Sequence, residues 1–157
     1  MIVVSDTSPI NYLLLIDQIQ VLQLLFEQVI IPEAVRDEML DPDAPEILRR
    51  WITDPPFWLD IRSVSTIDPA LSVLDAGEQA AITLAETLSA DVLLIDERLG
   101  RQIATERGLS IVGTIGVLDE AANCGLVDLA DALARLQQTN FRISRRLVQA
   151  LLDRSTD

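Results

Sequence analysis

The chain has 157 residues, with no lysine, no histidine and a single cysteine. Each absence removes chemistry. Without lysine there is no phosphate-loop lysine, no Schiff base and no lysine of a phosphoacceptor domain. Without histidine a Ser-His-Asp triad and His-ligated zinc are excluded. Cys124 has no partner for an internal disulfide and reads as a small residue near a helix end. Aromatic residues make up 4% of the chain, so no base-stacking platform is visible. No apolar run approaches the ~20 residues of a membrane span, and the opening MIVVSD lacks the basic start of a signal peptide. The expectation is a cytoplasmic protein without a membrane segment.

What is present is apolar and acidic. Hydrophobic residues make up 49%, enough for a folded core. The length fits one domain, residues 1–157, burying roughly 70% of its unfolded surface. Twelve basic residues, all arginine, face 25 acidic ones, for a net charge of −13. Such a chain repels nucleic acid at long range, and its chemistry must come from carboxylates, hydroxyls and guanidinium groups.

Strand and helix signals alternate. Ile2 to Ser5 reads as a strand running into Asp6, with Ser8 as the N-cap and Pro9 as the first residue of a helix to Leu15. Helical segments are expected at 18–26, from Pro32 to Leu40 and at 46–52, with a strand at Val29 to Ile31. The stretch 58–64 fits an edge strand or an extended connection. Asp68-Pro69 opens a short helix and Asp75 caps one from Ala76 to Leu88. Val92 to Ile95 is an apolar, β-branched run ending at Asp96. A helix from Arg98, a Gly108 stop, a strand at 110–112 and helices at 113–123, 128–137 and 144–153 complete the chain. This alternation predicts one α/β domain with a mostly parallel sheet and helices on both faces.

Ligands of open α/β sheets gather at the carboxyl ends of the strands, where Asp6 and Asp96 fall. In the helix after Pro32, Val35 and Met39 mark the buried stripe; Asp37 and Glu33 point away from it and Glu38 lies at its border. In the helix from Ala76, Glu78 falls on the apolar side with Ala81 and Ala85. Each acid also has a plain structural use. Asp6 can hold a turn, Asp96 can cap a helix, Glu38 can be a surface residue, and Asp75-x-x-Glu78 has capping-box spacing. If the four converge, they repel unless a cation or raised pKa values relieve them. An all-oxygen site suits Mg²⁺ or Mn²⁺, one or two ions, and metal-assisted phosphodiester hydrolysis.

These four acids stand in VVSDTSPI, IPEAVRDEM, DAGEQAAITLA and LLIDERLGRQIA. In that order they resemble the PIN-domain family, and more narrowly the bacterial subgroup with an Asp-Thr-Ser-Pro opening related to VapC-type toxins. GLSIVGTIGVLDEAANCGL is similar to the same subgroup. The resemblance is strongest over residues 1–127, with 128–157 as C-terminal helices. It implies a three-layer α/β/α fold around a mostly parallel sheet of about four or five strands. It also implies Mg²⁺- or Mn²⁺-dependent cleavage of RNA, a homodimer, and inhibition by a small antitoxin. Asp6, Glu38, Glu78 and Asp96 match the family's acidic ligands, and Thr7 and Ser8 its supporting hydroxyls. Glu97 is a peripheral ligand or a helix-start acid. Where many members carry a further acid or asparagine after the last strand, this chain has Gly113-Thr114.

Arg98 and Arg101 lie in the helix just after Asp96, and the densest basic cluster is Arg142, Arg145 and Arg146. Arg98 and Arg101 are the first candidates to hold RNA phosphates; the alternative for Arg101 is a helical ion pair with Glu97. The apolar segments 12–15 and 21–26 read as core, or else as a docking or dimer face. The rival to a nuclease is a non-catalytic binding or regulatory module on the same fold.

Overall fold

A computed structural model describes residues 1–155. The elements follow in the order β1 (Val3–Ser5), α1 (Thr7–Leu15), α2 (Gln20–Phe26), β2 (Val29–Pro32), α3 (Glu33–Met39), α4 (Glu46–Thr53) and β3 (Leu59–Arg62). A 3-10 turn at Pro69–Leu71 leads into α5 (Ala76–Thr87), β4 (Val92–Leu94), α6 (Arg98–Glu106), β5 (Ile111–Val112), α7 (Thr114–Asn123), α8 (Leu129–Gln137) and α9 (Arg145–Ser155). The strands pair in the order β3-β2-β1-β4-β5, and every pairing is parallel.

Parallel strands need crossovers, and helices supply them on both faces. Side chains alternate across the sheet. Val3, Val29, Ile31 and Leu94 enter one core with α1, α2, α4, α7 and α8 residues such as Leu13, Leu22, Leu48, Leu118 and Leu133. Val4, Ile30, Leu93 and Ile95 enter the other, against Ala81, Ile82 and Ala85 of α5 and Ala104 of α6. This is the three-layer α/β/α architecture, with a fully parallel sheet.

The undecided stretch after Pro56 is β3, whose backbone pairs with β2 from Val29↔Leu59 to Pro32↔Arg62. Its outer position explains the weak signal: only Leu59 of its four residues is buried. One local expectation fails. Asp6, not Ser8, occupies the N-cap position of α1, and no side chain caps that helix. Ser8 lies inside the first turn, and its hydroxyl bonds a residue 88 positions away. Gly108 does terminate α6, with φ at 84°.

The strand order reverses between β1 and β4. β2 lies on one side of β1, and the chain returns on the other side as β4, so a crevice opens beyond the carboxyl ends of this pair. Asp6 N–H donates to the Leu94 carbonyl at 2.9 Å, tying the two strand ends together at that crevice.

Core position should govern mutational cost. Leu94→Ala, which empties a fully buried site beside β1, should lose about 2–5 kcal/mol in urea unfolding. Phe57→Ala removes a ring that is 88% exposed and should stay within about 0.5 kcal/mol of wild type. Equal losses in the two variants would contradict the assigned core.

Candidate active site

Asp6 leaves the end of β1 with 4% of its surface exposed. Its Oδ1 is buried without a hydrogen-bond partner. Burial pushes the Asp6 carboxyl well above the ordinary carboxylate range; the Thr7 amide opposes this, while the charges of Glu38, Asp75 and Glu78 add to it. The carboxylate therefore sits where its charged form is poorly solvated and surrounded by its own sign.

Glu38 reaches the same place from the last turn of α3. It is half-buried, as its border position on the Val35–Met39 stripe predicts. Thr7 Oγ1 donates to its Oε2 at 2.6 Å and the Gly77 amide to its Oε1 at 2.9 Å. The carboxylate thus rests on the N-terminus of α5, where the helix dipole favours negative charge. Gly77 permits this approach, because a Cβ there would overlap the Glu38 carboxylate. Burial raises the Glu38 pKa, the Thr7 hydroxyl and Gly77 amide lower it, and Asp75 raises it.

Glu78 takes the capping role that its spacing to Asp75 allows, and uses one carboxylate oxygen for it. Asp75 and Glu78 form the capping box: Glu78 N–H donates to Asp75 Oδ1 at 2.8 Å and Asp75 N–H to Glu78 Oε1 at 3.4 Å. Glu78 Oε2 is buried and has no partner. The residue is 6% exposed, and burial together with the Asp75 carboxylate pushes its pKa to about 7.

Asp96 is held differently. Ser8 Oγ and Thr114 Oγ1 donate to its Oδ2 at 2.8 and 2.7 Å, and the Thr114 amide donates to Oδ1 at 2.7 Å. Thr114, fully buried at the start of α7, is therefore the clamp of Asp96. A side chain at 113 would crowd Asp96 Oδ1 and Arg101 Nη1.

The acids are arranged around connected cavities rather than in one cage. A cavity of about 270 Å³ is lined by Asp6, Glu38, Asp75 and Glu97, with Thr7 and Ser8 on its wall. A neighbouring one of about 450 Å³ shares Ser8, Tyr12 and Glu97 and opens on Asp96 and Arg98. Glu78 lines neither cavity and acts on Asp6 through its charge. Among the described residues, no group of three or more acids is gathered as a ready metal cage. The donor set still fits a hard divalent cation: oxygen ligands only, an unpartnered buried carboxylate oxygen on Asp6, and room for the water that Mg²⁺ retains.

Asp75 was legible only as a helix cap, yet it lines the acidic cavity; its spacing to Glu78 serves both roles. Asn11, one turn beyond Ser8, also lines that cavity and carries a buried Oδ1 without a partner, a feature that nothing in the sequence signalled. Arg101 does not form an ion pair with Glu97. Its Nη1 donates inward to the Ile95 carbonyl at 2.8 Å, bracing the end of β4.

The raised pKa values set the sign of a pH dependence. The folded state binds these protons more tightly than the unfolded state, so metal-free stability should fall as pH rises from the ordinary value of 4.5 through about 7. Asp6→Asn should melt above wild type in EDTA at neutral pH. Asp96→Ala should melt lower, by about 1–3 kcal/mol, because it strands the buried Thr114 donors. Thermal melts of the three proteins across pH check this; Asp6→Asn melting below wild type would make Asp6 a structural hydrogen-bonding group.

A family model described as a PIN domain matches residues 2–157. No curated protein and no solved structure matches the chain. PIN domains are commonly nucleases and generally use divalent metal ions. A match across nearly the whole chain, on a parallel α/β/α fold with acidic strand ends at its switch point, means that the protein belongs to the PIN-domain family.

Proposed function

We propose that the protein is an Mg²⁺- or Mn²⁺-dependent endoribonuclease, the cytoplasmic toxin of a type II toxin–antitoxin pair, acting as a single domain over 1–157. The observation that carries this reading is the Asp6 carboxylate, buried with an unpartnered oxygen among acids that raise its pKa. A charge so placed is costly without a cation to offset it.

Asp6, Glu38, Glu78 and Asp96 are the side chains that would hold one or two ions. A divalent ion supplies Lewis acidity there, stabilising charge on a phosphoryl oxygen and making water a better nucleophile. Thr7 and Ser8 fix the rotamers of Glu38 and Asp96, so two neighbouring hydroxyls orient two distant carboxylates. Arg98, exposed beside Asp96, is suited to a substrate phosphate; Arg101 has one guanidinium nitrogen committed to Ile95 and the remainder available to the same role. The acidic cavity attracts a basic segment of a small antitoxin by electrostatic steering, and a homodimer is the expected assembly.

Two measurements test the reading. Mn²⁺ at about a hundredfold above its Kd should stabilise the wild type by about 2.7 kcal/mol, with the shift shrinking in Asp6→Asn. Single-stranded RNA should be cut in Mn²⁺ or Mg²⁺ and not in EDTA, and Asp6→Asn or Glu38→Gln should lower the rate on the order of 100-fold or more. Metal-independent melting with no cleavage would instead assign the fold to a non-catalytic binding module.

A further inference from the structure

The arginines divide by partner. Arg36, Arg50, Arg62, Arg107, Arg135 and Arg154 sit in ion pairs with carboxylates. Arg49 and Arg101 donate to backbone carbonyls. Among the described residues, Arg98, Arg142, Arg145 and Arg146 take part in no ion pair, although the chain carries 25 acidic side chains. Three of these four stand within five positions of one another in the segment between α8 and the first turn of α9.

Stability gives no reason for that grouping. Arg145 and Arg146 open α9, the positive end of its dipole, where cations are unfavourable by roughly 0.3–1 kcal/mol each. An anion bound nearby would reverse the sign.

The segment is anchored against the candidate active site. Tyr12 Oη donates to Asn140 Oδ1 at 2.7 Å across 128 positions. The Tyr12 and Phe141 rings meet edge to face, with centroids 4.8 Å apart. Phe141 and Arg142 stand between two cavities that meet at Asp96. One, of about 450 Å³, holds Ser8, Tyr12, Arg98 and Asn140; the other, of about 440 Å³, is more apolar and holds Arg101, Ile115 and Leu147. Guanidinium groups beside an aromatic ring and an apolar recess are the components of a single-strand site, which takes phosphates on the first and unstacked bases on the second. Tyr12 and Asn140 add polar groups suited to a ribose hydroxyl.

We infer that the 140–146 segment, together with Arg98, is the rim that holds a single-stranded RNA across Asp96. Arg98 and Arg142, which line the same cavity beside Asp96, contact backbone phosphates there, Phe141 backs a base in the apolar recess, and Arg145 and Arg146 extend the positive field along the outgoing strand. This rests on the nuclease reading, and it answers how a chain of net charge −13 receives a polyanion: two arginines free of ion pairs, Arg98 and Arg142, line the cavity that opens on Asp96.

The test is fluorescence anisotropy with a labelled single-stranded oligoribonucleotide of mixed sequence, in Ca²⁺ buffer at a series of salt concentrations. Arg142→Gln and Arg98→Gln should each weaken binding and lower the log–log salt slope by about 0.7. Phe141→Ala should weaken binding roughly 5- to 150-fold with the slope unchanged. Phe141→Leu replaces it if the alanine variant melts early. Arg50→Gln, which removes a surface ion pair with Glu46, should bind as wild type. If the wild type binds and cuts RNA while the Arg142, Arg98 and Phe141 variants bind equally well, the rim is overturned and the nuclease reading stands. If the wild type neither binds nor cuts RNA, both fall. Tighter binding of a DNA strand of the same sequence would overturn RNA as the occupant.

Discussion

A carboxylate with 4% of its surface exposed and one oxygen without a hydrogen-bond donor is a poor place for negative charge, and Asp6 is such a group at the centre of the sheet. The β1–β4 join fixes its position, because the Asp6 amide is spent on the Leu94 carbonyl and the backbone cannot withdraw it from the crevice. Three other acids then act on it, Glu38 from α3 and Asp75 and Glu78 from the start of α5. The fold accepts this repulsion at the one point where strand order reverses and a ligand has room to relieve it.

The surroundings divide the acids into two kinds. Glu38 and Asp96 are satisfied by named donors, Thr7 and the Gly77 amide for one, Ser8 and Thr114 for the other. Hydrogen bonds hold their rotamers in place. Asp6 and Glu78 each retain a buried oxygen with no donor, and their protons are correspondingly hard to remove. Two carboxylates with a free oxygen and two locked ones leave both ligand capacity and rigidity around one end of the sheet. The consecutive hydroxyls at Thr7 and Ser8 serve both locked acids, Thr7 bonding Glu38 and Ser8 bonding Asp96.

The strand-end acids were legible because the strands that carry them are short apolar runs ending abruptly in aspartate. Glu38 was legible from helical phase against Val35 and Met39. Glu78 carries two readings that spacing alone does not separate; one oxygen closes the capping box and the other is buried without a partner. What escaped the sequence depends on contacts far apart in the chain. Ser8 looked like a local cap and bonds Asp96 instead. Thr114 looked like a weak substitute for a missing acid and proves to be the donor that locks Asp96. Tyr12 and Phe141, two of a sparse aromatic set, meet at the rim only because the chain after α8 folds back over α1. Asp75 was hidden by the adequacy of its capping role.

The central claim, that the buried acids around Asp6 form a divalent-cation site, is tested most directly by calorimetric titration of Mn²⁺ in buffers of different ionisation enthalpy. Below about pH 7, where Glu78 holds its proton, binding should release protons as the carboxylates ionise to meet the ion. Proton release should diminish above that pH, and Mn²⁺ binding should be lost or greatly weakened in Asp6→Asn. Saturable binding that persists unchanged in Asp6→Asn, or no binding heat in the wild type in any buffer, would contradict the account.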